Sequence, residues 1–199
     1  METVTTTRGR PREFDTEMAL SAALRVFWEK GYDGASLTDL TEAMEITRPS
    51  LYAAFGNKEA LFKQALDLYE SEKLAYVGSA LGAPTARGVA QRLLEGTIAN
   101  VTSECPGCLG VMAVVSCNSP SSSIQQDVRS RAQSSHAAMV ARMQTAIDAG
   151  DFTNAVSAEA MTNYLTAVLQ GLAIQAGAGA NRDQLQQVAD TTLANWPGR

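Results

Sequence analysis

The sequence predicts an all-α protein of about nine helices, and three observations carry that prediction. Sustained period-two alternation is missing from the 199 residues. Apolar residues instead recur at helical spacing throughout. Helix caps and breakers (Asp15, Ser36, Thr47, Asn57, Ser157 and Asn181 at starts, Gly31 and Gly150 at stops) punctuate the pattern at short intervals.

The first helix opens at Asp15 and runs to Lys30 before Gly31, with Met18, Leu20, Ala22, Ala23, Val26 and Phe27 as its apolar stripe. Ser36 and Asp39 form a capping-box-like pair that opens a second helix through about Met44. Thr47 caps a third, short helix over 48–54, where Pro49 is tolerated because first-turn N–H groups lack intrahelical partners. Asn57 caps a fourth helix expected over 58–80. After the Gly82–Pro84 break, helices are expected over 85–103, 109–117, 124–149, from Ser157 to about Ala176, and from the Asn181/Gln184 pair to just before Pro197. This divides the chain into a small unit over 1–58 and a larger helical unit over 59–199, with the fourth helix as the joint.

Composition narrows the function classes. No run of eighteen apolar residues suggests a membrane span, and the N-terminus lacks the apolar core of a secretory signal, so a cytoplasmic protein is expected. The formal net charge of −5 excludes a broad positive field, so any nucleic-acid contact must use a few placed cations. Arg8, Arg10 and Arg12 form one such cluster, or else a tail without a role. Three cysteines are too few for a disulfide scaffold. No nucleophile elbow, phosphate-cradling glycine loop or metal-ligand helix marks an enzyme, and His136 has no readable partner. No cofactor is expected.

Residues 35–61 carry the functional signal. A short helix, a tight connection and a second short helix form the layout that presents one helix to the major groove, braced by the other. Leu37, Leu40, Ala43, Ile46, Leu51 and Phe55 have the spacing of a small core beneath it. Ser36, Thr38, Thr47, Arg48, Pro49, Ser50, Tyr52 and Lys58 are the candidate DNA-contacting set. Arg48 is the sole cation on the reading helix and suits a guanine edge, while Tyr52 and Lys58 suit phosphate. A helical hairpin packed inside a larger domain is the alternative.

This block resembles the TetR family of transcriptional regulators over residues 8–66. The match runs through Ser36, Asp39, Leu40, Ala43, Ile46, Thr47, Ser50, Leu51, Tyr52, Phe55, Lys58, Glu59 and Leu61, preceded by an arm-like RGRPREFD. Glu45 stands where the family usually has a turn glycine, and Ala53 and Ala54 replace a common polar pair. The resemblance implies a homodimer on a double-stranded operator, released by a small effector of unknown identity. It also implies that affinity leans on Arg48 and the arginine arm. Leu165, Leu169, Leu172, Gln175, Leu185, Val188 and Leu193 are the candidate dimer residues, or else an intramolecular core. Cys108, Met112, Cys117, Met139, Met143 and Tyr164 are the candidate effector contacts, although such residues also fill cores. Cys105, Cys108 and Cys117 leave open a redox-, electrophile- or metal-responsive repressor, and Gly107-Cys108-Leu109 resembles a segment in a subgroup with copper- or electrophile-responsive members. A helical interaction protein without DNA binding is a further alternative.

Overall fold

The computed structural model describes residues 14–103, 105–111, 123–152 and 155–198. Within them lie α1 (Thr16–Gly34), α2 (Leu37–Ala43), α3 (Arg48–Phe55), α4 (Lys58–Lys73), α5 (Ala75–Leu81), α6 (Ala86–Val101), α7 (Ser123–Asp148), α8 (Ala158–Gly177) and α9 (Arg182–Ala194). A helical turn begins at Leu109–Val111, and the rest of the helix expected there lies outside the described residues. Among the described residues the only β pairing is an isolated Phe152–Gly198 bridge.

The caps act where their side chains predict. Asp15 accepts from the Glu17 and Met18 amides, Asn57 from Ala60, and Ser157 from Ala160. Ser36/Asp39 and Asn181/Gln184 form complete capping boxes. Gly31 breaks α1 with φ 68 and ψ 175, after which a short helical stretch resumes. The N-terminus of α6 has a second support that sequence spacing missed: Asp151 accepts from the Ala86 amide at 3.0 Å, across 65 residues.

Two expectations need correction. The fourth helix does not reach Ala80 but breaks at Leu74 (φ −106, ψ 8). The break lets α5 lay Tyr76 flat over Gly96 of α6, so close that a Cβ at Gly96 would overlap the ring, and the Tyr76 hydroxyl meets Thr97 Oγ1 at 3.0 Å. No glycine or proline marks that turn. Met18, placed on the buried stripe of α1, is 71% exposed, while Leu24 and Trp28 take the interior.

Two hydrophobic cores result. The first joins α1–α4 through Phe27, Trp28, Leu40, Leu51, Phe55, Phe62 and Tyr69, and takes in Cys105, Leu109, Ile124 and Val128 from later in the chain. Phe62 meets Phe27 edge-on at 5.0 Å, and Trp28 meets Tyr69 edge-on at 4.9 Å. Each such aromatic contributes roughly 1.5–3 kcal/mol through burial. The second core, built on α5–α9, contains Leu94, Ile98, Met143, Leu165, Leu172 and Leu185. All five buried residues of α4 (Leu61, Phe62, Ala65, Leu66 and Tyr69) belong to the first core.

Candidate DNA-reading face and ligand cavity

The face formed by α2 and α3 is built from its caps outward. The Asp39 carboxylate accepts from the Ser36 amide, the Ser36 hydroxyl and Lys30 Nζ, the last at 2.6 Å. These bonds, Lys30's foremost, hold its carboxyl well below the usual range. Thr47 caps α3 by accepting from the Ser50 amide, and its hydroxyl also meets Ser50 Oγ at 2.9 Å. Between the helices Glu45 sits at φ 55, the left-handed region that suits glycine.

Leu40, Leu51 and Phe55 are buried beneath this face, with Leu37 and Ile46 partly buried against them. Ala43, expected in that small core, is exposed instead. Thr38, Thr47, Arg48, Pro49 and Tyr52 are exposed, and Ser50 and Lys58 half-buried. Arg48 Nη2 donates to Thr38 Oγ1 at 2.8 Å, which joins the two helices across their outer surface. Tyr52 is 48% exposed. Lys58 Nζ lies 4.5 Å above the Tyr32 ring. Partial burial lowers the Lys58 pKa, opposed by the Asp33 and Asp39 charges. Arg8, Arg10 and Arg12 lie outside the described residues.

An open cavity of about 270 Å³ lies between α4, α7 and α8. Leu66 and Glu70 of α4, with Leu74 at its C-terminal break, form one wall, Cys108, Gly110 and Val111 another. Val128, Arg131, Ala132 and Ser135 of α7, with Gln170 and Ile174 of α8, complete it. The Tyr69 hydroxyl receives a bond from Asn100 Nδ2 at 2.8 Å and donates to Cys108 Sγ at 3.2 Å. Burial, reinforced by Cys108, raises the Tyr69 pKa, so the phenol keeps its proton. Arg131 spans from α7 to α4: burial works against its charge, but the bonds it donates to Asp67 and Asp127 and the Glu70 charge hold its pKa above the ordinary value.

Among the described residues of the expected effector set, only Cys108 lines this cavity. Met139 and Met143 are 8% and 0% exposed in the second core, where flexible thioethers fill space between helices. Tyr164 stands 44% exposed beside Trp196, away from the cavity. Met112 and Cys117 lie outside the described residues. Glu70, Arg131, Gln170 and Ile174 were missed because no local spacing joins helices 60 residues apart. Of the candidate dimer residues, Leu165, Leu172 and Leu185 are fully buried within the protomer's own core. Leu169, Val188 and Leu193 are partly buried against that core, and Gln175 is exposed.

A profile described as "Bacterial regulatory proteins, tetR family" matches residues 19–65, which span α2, α3 and most of α1. The HTH-type transcriptional repressor ComR of Escherichia coli is 33% identical over 198 residues, 96% of this chain and 92% of that protein. The chain belongs to the TetR family. A second TetR-type relative, the repressor BdcR of Escherichia coli, is 32% identical over 182 residues, covering 89% of this chain and 86% of its own. The solved structure of a cysteine-substituted TetR family regulator CifR, complexed with 26bp double-strand operator DNA, is 41% identical. It superimposes with a TM-score of 0.87 over 94% of this chain and 100% of that one. TetR-family membership makes this chain a transcriptional regulator and makes α2–α3 its helix-turn-helix. Among the described residues no helix is long and apolar enough to cross a membrane.

Proposed function

We propose that the chain is a cytoplasmic homodimeric repressor that grips a palindromic operator with two copies of α3 and lets go when a small effector fills the cavity on α4. One observation carries this reading. A capped, braced α3 offers Arg48 and Tyr52 to solvent on a chain closely similar to one solved on operator DNA. Residues 1–58 form the DNA-binding unit and 59–199 the effector and dimer unit. Arg48 reads a base edge, held in aim by Thr38. Tyr52 and Lys58 take phosphates, Thr47, Ser50 and Pro49 shape the start of the reading helix, and Ser36 fixes α2. The Arg8–Arg12 arm adds charge. The dimer forms through α8 and α9, where Tyr164 and Ile174 of α8 are large exposed apolar side chains. An occupant of the cavity pushes on Leu66, Glu70 and Leu74, and therefore on the helix that begins with Lys58.

Fluorescence anisotropy on operator DNA tests the assignment. Arg48→Ala and Tyr52→Ala should each weaken binding by about 1–3 kcal/mol without unfolding the protein. Only Arg48→Ala should relax base preference, and an equal loss on every sequence would reject its reading role.

A thiol-responsive version of the same repressor has one observation behind it. Cys108 faces the cavity and is bonded to Tyr69 of the first core. DNA release under oxidant that is unchanged in Cys108→Ser would remove this version.

A further inference from the structure

An arginine in a ligand cavity ordinarily invites a carboxylate or phosphate, which its planar donors match in pairs. Arg131 is differently placed. Its Nε donates to Asp127 at 2.9 Å, Nη1 to Glu70 at 2.8 Å and Nη2 to Asp67 at 2.6 Å, so every guanidinium nitrogen already meets a carboxylate. Three carboxylates against one guanidinium leave a formal excess of two negative charges in this cluster, of which Glu70 and Arg131 line the cavity. The other described lining residues carry no charge.

We propose that this cavity takes a compact, largely apolar molecule without negative charge, and that Arg131 is a strut between α7 and α4 instead of an anion receptor. The proposal rests on the reading of the cavity as the effector site and names the chemical class that site accepts. Size points the same way: about 270 Å³ lies at the foot of the roughly 300–1,000 Å³ usual for ligand pockets. Leu66, Leu74, Val128 and Ile174 supply apolar wall, while Ser135 and Gln170 can fix one neutral polar end. An anion on the two N–H groups that Arg131 has left would sit against the Glu70 and Asp67 carboxylates, whose like charge opposes it. A neutral occupant leaves the strut whole and still presses on the helix it holds.

The test uses matched pairs of compact probes on one frame, such as 3-phenylpropan-1-ol with 3-phenylpropanoate and hexan-1-ol with hexanoate. Each is titrated into the full-length protein at pH 7 by calorimetry and ligand-observed NMR. The alcohols should bind at least tenfold more tightly than their carboxylates, and Ser135→Trp, which fills the cavity, should abolish that binding. Freeing Arg131 with Asp67→Asn plus Glu70→Gln should close or invert the ratio; Glu70→Gln alone should narrow it if the double variant does not fold. Carboxylates that bind the unaltered protein as tightly as the alcohols would overturn the proposal, as would a ratio unmoved in the variants or binding by neither member of any pair. If alcohols bind in the cavity yet leave operator affinity unchanged, the effector reading fails while the ligand class stands.

Discussion

Asp39 shows how much one side chain can organise. Its two oxygens close the capping box of α2 and take Lys30 from the end of α1, so the angle between those helices depends on its charge. Because the folded protein holds this carboxyl below its ordinary value of 3.8, the ionised form favours folding. That contribution is fully present above the ordinary value and is lost as pH falls through the lowered one. Asp39→Asn should therefore melt below the unaltered protein by a constant margin from pH 5 to 8, and the margin should shrink as pH drops below about 4. Thermal unfolding followed by circular dichroism reads this directly; a margin undiminished at low pH would assign the effect to something other than charge. The Ser36–Asp39 half of the arrangement was legible in the sequence, because capping is decided within four residues. The Lys30 half was not, since it depends on how α1 ends at Gly31. The same division runs through Arg48: its place on α3 followed from spacing, its bond to Thr38 from the packing of two helices.

At the scale of elements, the turn between α2 and α3 carries strain that the sequence announced. Glu45 occupies φ 55 where glycine would be at ease. Glu45→Gly should stabilise the protein by about 1 kcal/mol and raise its melting temperature by about 2–4 °C, measured by urea and thermal unfolding. A loss of stability would mean that the Glu45 side chain or the stiffer unfolded chain outweighs the strain. The break between α4 and α5 was illegible for the opposite reason. Leu74 has an ordinary helical composition around it, and the turn exists because Tyr76 gains a seat on Gly96 of α6. Periodicity identifies a helix from the faces it buries, and it cannot register a change of partner midway. Met18 fails in the same way: it is apolar and correctly spaced, but among the described residues that position of α1 stays exposed.

For the whole molecule, charge and connectivity set the terms. A chain of net charge −5 must attract DNA through few cations, so its operator affinity should fall gently with salt. Lys58→Ala should lower the slope of log affinity against log salt by about 1 while leaving base preference intact. An unchanged slope would show that Lys58 serves Tyr32 and not a phosphate. The all-α class and the helix-turn-helix were readable from the chain because both rest on local patterns. The cavity was not, because Glu70 and Arg131 meet across 61 residues. Nor was the division of labour among the apolar residues of α8, where Leu165 and Leu172 turn inward and Tyr164 and Ile174 outward.

α4 begins at Lys58 on the DNA-reading side and lends Leu66, Glu70 and Leu74 to the cavity, about 18 Å of one rigid rod from Lys58 to Glu70. Two sites that share a rod cannot be tuned apart. Whatever factor an occupant takes from operator affinity, bound operator must take from the occupant. The ligand concentration at which a gene switches on therefore rises with the affinity of its operator. Sensitivity is set partly by the DNA being guarded, and a substitution that tightens the grip on operator also dulls the sensor.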